Sequence, residues 1–146
     1  MKIIMRRKKK KVLIVDDEVA FTELVKMNLE ATGKYEVRTE NKGSLALLAA
    51  KQFRPDLILL DIIMPDKGGG EVSGQLGGNE DTKNIPIVYL TAIMTKEEAA
   101  SRDDIISGHQ VIPKPVSTEE LVKVIEMITG KNPNLGRPID DNHYHD

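Results

Sequence analysis

Five polar residues of this chain stand at one kind of place, at or just beyond the end of a short apolar run. Asp16 and Asp17 follow residues 12–15, Asp61 closes residues 57–61, Thr91 follows residues 85–90, and Lys114 follows residues 110–113. Carboxylates brought together repel one another and resist joint ionisation unless a cation neutralises them. An oxygen-only donor set of that kind suits Mg²⁺ (or Mn²⁺), which takes one or two carboxylates and keeps several waters. The Lys114 ammonium and the Thr91 hydroxyl add donors for an anion. A divalent metal, an ammonium and a hydroxyl around a spare carboxylate suit a phosphoryl group, and the carboxylate itself can be the nucleophile that forms an acyl phosphate. Taken singly, each residue has a plainer role. Asp16 and Asp17 could favour a helix N-terminus, Asp61 could cap a loop or helix, Thr91 could be a turn hydroxyl and Lys114 a solvated lysine. Their joint placement at successive run ends is what points to a site.

The apolar runs must be strands for these residues to meet. Leu57-Ile58-Leu59-Leu60 is unbroken and flanked by Pro55 and Pro65, as suits a strand buried on both faces of a parallel sheet. Residues 12–15, 35–39, 85–90 and 110–113 complete a set of five strands. Between them the period turns helical. Residues 19–31 carry Ala20, Leu24, Met27 and Ala31 at helical spacing, with Gly33 as the stop. A second helix opens at Gly43-Ser44 with Leu45, Leu48 and Ala49 on its core stripe. A third, over residues 71–76, is weakened by glycines at 68, 69, 70, 74, 77 and 78. Thr95 with Glu98 and Ser117 with Glu120 form two capping boxes, predicting helices over 96–107 and 118–129, the latter burying Leu121, Val124, Ile125 and Ile128. Five strands alternating with helices predict a doubly wound α/β fold: a parallel sheet with right-handed crossovers and helices on both faces. All strands of such a sheet end on one edge, where ligands bind.

The bulk numbers agree with one domain. The chain has 146 residues, 40% hydrophobic and 30% charged, enough for one sizeable core and too few for two. It has no cysteine, which excludes disulfide and thiol chemistry and fits a cytoplasmic location. Asp61 interrupts the longest apolar stretch, so no membrane insertion is expected. The net charge of −2 conceals an asymmetry, because residues 1–11 hold 7 of the 21 Lys and Arg and no acid. The division expected is a solvated basic arm over 1–10, a globular domain over 11–130 and a polar tail over 131–146. No direct contact with nucleic acid is expected of the arm.

The residues quoted resemble the response-regulator receiver domain of two-component signalling, and the resemblance covers residues 11–129. It implies the flavodoxin-like strand order 2-1-3-4-5. It further implies that Asp61 is the phosphoacceptor, that Asp16, Asp17, Asp61 and the backbone carbonyl of Ile63 hold Mg²⁺, and that Thr91 is the switch hydroxyl. Ala92 is then the small residue beside the phosphoryl pocket, Lys114 the lysine of a Lys-Pro pair joined by a cis bond, and Met64-Pro65-Asp66 the loop after the phosphoacceptor. The partners implied are a sensor histidine kinase or histidine phosphotransfer protein and a downstream target protein. Relay of the phosphoryl group to a further histidine is the alternative output.

Two departures stand out. Val111 occupies the strand-five position where the family usually has Tyr or Phe. Being short and stiff at χ1, it implies a switch running from Thr91 through residues 92–107 without an aromatic turning inward. The third helix is unusually rich in glycine. A phosphatase of the haloacid-dehalogenase type would also use a strand-end Asp and Mg²⁺, but would place a second Asp where this chain has Ile63; turnover as an enzyme is not expected. Nothing resembles the phosphate loop of a flavin-binding module.

Overall fold

Val12 to Val15 and Leu57 to Leu60 have no exposed surface, because the strands that carry them lie mid-sheet with helices over both faces. The structure, a computed structural model, describes residues 5–92, 105–106, 109–130 and 138–140. Its elements are β1 (Met5–Arg7), β2 (Lys10–Val15), α1 (Val19–Ala31), β3 (Tyr35–Glu40), α2 (Ala46–Phe53), β4 (Leu57–Asp61), α3 (Gly69–Gly77), β5 (Ile87–Thr91), β6 (Ile105–Ile106), β7 (His109–Pro113), α4 (Thr118–Thr129) and β8 (Pro138–Asp140). The main sheet runs β3-β2-β4-β5-β7-β6. Its first five strands are parallel in the expected 2-1-3-4-5 order, and β6 joins β7 antiparallel at the edge.

The pleat divides the apolar side chains between two layers. Leu13, Val15, Ile58 and Leu60 pack on Ala46, Ala49 and Ala50 of α2 and Val72 and Leu76 of α3. Ile14, Leu57, Leu59 and Leu90 pack on Val25 and Leu29 of α1 and Leu121 and Ile125 of α4. The register places Asp61 beside Leu90 and Thr91 beside Pro113. Asp16, Asp61, Thr91 and Lys114 therefore come to the same edge.

Local signals explain several boundaries. Gly33 takes φ +78° after α1, a conformation that costs glycine nothing. Ser117 Oγ accepts from the Glu120 backbone N–H at 3.1 Å and starts α4. The α3 helix forms from Gly69 to Gly77, longer than expected, and Thr82 Oγ1 donates to the Leu76 carbonyl at 2.6 Å at its far end.

The spacing misassigns two helix faces. Ala20, Leu24, Met27 and Ala31 all face solvent, and α1 buries Thr22, Val25 and Leu29 instead. Leu45 and Leu48 are likewise exposed, while Ala49 faces the sheet as expected, together with Ala46 and Ala50. In both helices two apolar stripes compete. In α2 the small side chains win because they let the helix approach the sheet closely. The strand expected over 85–90 is β5, which starts at Ile87 rather than Ile85. The expected 96–107 helix and its Thr95 cap lie outside the described residues, except that Ile105 and Ile106 are extended and pair with β7. Within the segments expected as arm and tail, Met5–Arg7 pairs antiparallel with Pro138–Asp140. Among the described residues no helix is long and apolar enough to cross a membrane.

At the edge of the sheet away from Asp61, Glu126 joins three elements. It accepts from Lys10 Nζ at 2.8 Å and from the Tyr35 hydroxyl at 2.6 Å, and Lys10 Nζ also donates to Thr129 Oγ1 at 3.0 Å. Burial acts to raise the Glu126 pKa, but Lys10 and Tyr35 outweigh it and hold the carboxyl below the ordinary 4.5. A lowered acid pKa contributes stability above the ordinary value that is lost as pH falls through the folded one. Tyr35→Phe is therefore expected to cost about 1 kcal/mol at neutral pH, shrinking in acid as Glu126 protonates. Urea unfolding of both proteins across that range checks it.

Candidate functional site

Asp16 follows β2 and is fully buried. Its Oδ1 accepts from the Glu18 backbone N–H at 2.9 Å, and its backbone carbonyl accepts from Asn41 Nδ2 at 2.8 Å. Asn41 also donates to Thr22 Oγ1 at 3.0 Å, which fixes the start of α1 against the end of β3. The other oxygen, Asp16 Oδ2, is buried with no hydrogen bond of good geometry, and the Lys114 ammonium lies 2.6 Å from it. Asp61 closes β4 almost fully buried, and its Oδ1 accepts from the Ile63 N–H at 3.2 Å. Asp17 is exposed. One oxygen from each of Asp16, Asp17 and Asp61 lies within 4.8 Å of the others.

Lys114 reaches this cluster from β7. Its N–H donates to the Thr91 carbonyl at 2.8 Å, and the Lys114–Pro115 bond is cis. Its ammonium sits 2.6 Å from Asp16 Oδ2, 3.0 Å from Glu18 Oε1 and 3.9 Å from Asp61 Oδ2. The Phe21 ring centroid lies 4.3 Å from the same nitrogen, so an aromatic face covers part of the ammonium. Thr91 is buried and Ala92 is exposed.

The electrostatics follow from three carboxylates, Asp16, Glu18 and Asp61, within 4 Å of one ammonium, with Asp17 close to Asp16 and Asp61. Burial and the charge of Asp16 push Asp61 up to about 6, Lys114 and the Ile63 N–H oppose the rise, and Asp17 adds to it. Burial works against the charged form of Lys114, but its contacts with Asp16 and Glu18 and the charges of Asp16 and Asp61 raise its pKa. The donor set fits a hard divalent cation. It is all oxygen, it carries excess negative charge, and one oxygen from each of Asp16, Asp17 and Asp61 lies close enough to the others to share a cation.

Spacing alone did not reveal Glu18, Phe21 or Asp66. Glu18 and Phe21 sit one helical turn apart beside the acid pair, which is the signal that could have found them. Asp66 clamps the loop after β4 to the start of the second helix. Its Oδ1 accepts from the Gly43 N–H at 3.2 Å and its Oδ2 from the Ser44 N–H at 3.0 Å, and these bonds hold it near 2. Val111 is buried as a neighbour of Tyr89, whose ring meets His109 edge-on at 5.4 Å. An aromatic thus stands on β5 beside the position where the family usually has one on the next strand.

The model of the response regulator receiver domain matches residues 12–126. The chain belongs to that family. This receiver is 34% identical over 120 residues to the polar-differentiation response regulator DivK of Brucella anthropi, covering 82% of the chain and 95% of DivK. The chemotaxis protein CheY4 of Vibrio cholerae superposes with a TM-score of 0.71 at 30% identity, over 83% of this chain and 99% of that one. The receiver domain of the sensor histidine kinase PA1611 of Pseudomonas aeruginosa, with a magnesium ion in its active-site cleft, superposes with a TM-score of 0.71 at 23% identity. It covers 84% of this chain and 99% of that domain and shares the fold. The receiver spans about half the length, 46% and 45%, of the first transcriptional regulators it matches.

The raised pKa of Asp61 carries a stability cost. A buried acid whose folded pKa lies above its ordinary 3.8 loses folded-state stability as pH rises between the two values and stays destabilising above them. Asp61→Asn is expected to stabilise the metal-free receiver at neutral pH by about 1 to 3 kcal/mol, with the gain vanishing below pH 4. Mg²⁺ is expected to stabilise wild type more than the variant. Thermal melts with and without Mg²⁺ check both.

Proposed function

We propose that this receiver takes a phosphoryl group onto Asp61 from a phosphohistidine and uses it to switch protein contacts. Supporting this reading is the convergence of Asp16, Asp17, Asp61 and Lys114 on one edge of the sheet. An Asp61 carboxylate oxygen attacks phosphorus. The new O–P bond forms as the donor's N–P bond breaks, and the imidazole leaves with the electron pair and takes a proton from solvent. Asp61 needs no separate base, since it is an anion when it attacks. Lys114 and the Thr91 hydroxyl supply donors to the phosphoryl oxygens, in a pocket that Ala92 leaves uncrowded. Asp16, Asp17, Asp61 and the Ile63 carbonyl would hold Mg²⁺ or Mn²⁺, which would neutralise phosphoryl charge when bound.

In this reading the donor is a histidine kinase or histidine phosphotransfer protein in the cytoplasm, and the output is a downstream target protein. The receiver domain spans 11–130, flanked by the basic arm and polar tail, with no nucleic acid bound directly. Signal passes from Thr91 into the segment after β5. Incubation with acetyl phosphate and Mg²⁺, followed by mass spectrometry, is expected to place one phosphoryl group on Asp61. Modification that persists in Asp61→Asn, or that proceeds unchanged in EDTA, overturns the assignment. Amide shifts on adding beryllofluoride are expected beyond the Asp61 loops and to collapse to those loops in Thr91→Ala.

The phosphoryl group is expected to be long-lived. Hydrolysis needs a water aligned opposite the Asp61–phosphate bond. Ile63 stands two residues after Asp61, exposed and apolar, and cannot orient that water. Ile93, two residues after Thr91, is its expected counterpart and lies outside the described residues. Ile63→Asn combined with Ile93→Glu is expected to speed loss of phosphate at least several-fold. A time course of the phosphorylated protein measures it, and an unchanged rate counts against the argument.

A further inference from the structure

Glu18 occupies the N-cap position of α1, yet its side chain makes no capping hydrogen bond. A side-chain oxygen at that position can turn back to the first free N–H groups of the helix, as short polar side chains there do. This one reaches Lys114 instead, with Oε1 at 3.0 Å from the ammonium. Lys114 is thereby held between Asp16 at 2.6 Å and Glu18 at 3.0 Å, and stands 3.9 Å from Asp61 Oδ2. Phe21, from the same turn of α1, covers the ammonium at 4.3 Å.

We propose that Glu18 is a positioning residue that tethers Lys114 on the α1 side of the site, so that a phosphoryl group on Asp61 must compete with it for the ammonium. The inference rests on the phosphoacceptor reading of Asp61 and adds to it a competitor outside the acid pair. Three observations support it. The two acids differ in exposure, with Asp16 fully buried and the Glu18 side chain 62% exposed. An ion pair whose acid end is wet is weak and releasable, whereas Asp16 has no solvent to turn to. The tether also spends an acid that α1 could have used as a cap. Finally, the Lys114 ammonium stands nearer to Asp16 and Glu18 than to Asp61, the acid that would carry the phosphoryl group, so at rest it is engaged on the α1 side. Glu18 thus sets how readily the lysine becomes available, without touching the reacting atoms.

The test compares the full chain as wild type, Glu18→Gln and Glu18→Asp. Affinity for beryllofluoride is read from amide shifts at saturating Mg²⁺, and Mg²⁺ affinity is read separately without beryllofluoride. Glutamine keeps the length and removes the charge; aspartate keeps the charge and is one methylene too short to reach. A tether requires both variants to bind beryllofluoride more tightly, by about two- to five-fold, while Mg²⁺ affinity falls in Glu18→Gln and holds in Glu18→Asp. If Glu18→Asp matches wild type for beryllofluoride while Glu18→Gln differs, only the local field matters and the tether is rejected. Affinity in Glu18→Gln equal to or below wild type also rejects it. Failure of wild type itself to bind beryllofluoride would instead overturn the phosphoacceptor reading and the tether together.

Discussion

The cost of gathering carboxylates at the buried edge of a parallel sheet governs this molecule. Asp16 and Asp61 are removed from water within reach of each other and of Asp17, an arrangement that electrostatics opposes. One ammonium offsets part of that cost. Lys114 arrives there because β7 pairs with β5 in a register that sets Thr91 beside Pro113. The ladder therefore fixes the charge balance, and a one-residue slip of β7 would turn the lysine to the other face. What remains uncompensated appears in the raised pKa of Asp61. A site held in this state is primed to gain from a cation or from any change that spreads its negative charge.

That economy makes the strand ends the legible part of the chain. Apolar runs broken by a single acid or followed by a lone lysine can be read without any partner in view, because a buried strand has no packing use for such residues. The five parallel strands and the convergence of Asp16, Asp61, Thr91 and Lys114 follow from that contrast, whereas the strand order is what the family resemblance implies. Helix faces are harder. In α1, Leu24 and Met27 lie at helical spacing as truly as Val25 and Leu29 do. What decides between the stripes is long-range: Thr22 is buried because Asn41, at the end of β3, reaches it. Periodicity records that a helix has apolar residues; it does not say which of two stripes meets the sheet.

The same limit explains why Glu18 and Phe21 escape a reading of spacing. Both belong to the site through Lys114, which lies 96 residues from Glu18 in sequence. A glutamate after an acid pair reads as ordinary helix-start chemistry, and a phenylalanine three residues later reads as core. Only the tertiary fold puts an exposed acid and an aromatic face on the same ammonium. Tyr89 is a related case, since its ring stands next to Val111 across the ladder, a neighbour that the residues of one strand cannot reveal.

The glycines of α3 fall into two kinds with different futures. At Gly69 a Cβ would lie 2.5 Å from the Asp61 carbonyl oxygen, so the helix begins in contact with the backbone at the end of β4 and no other residue fits. At Gly70, Gly74 and Gly77 a Cβ would meet nothing within 4 Å, and each forgoes about 1 kcal/mol of helix propensity relative to alanine. One glycine is dictated by space; the others are a reserve of unclaimed stability along a helix that starts against β4. A lineage, or an engineer, could stiffen this helix at those three sites while leaving the chemistry of the cleft as it is.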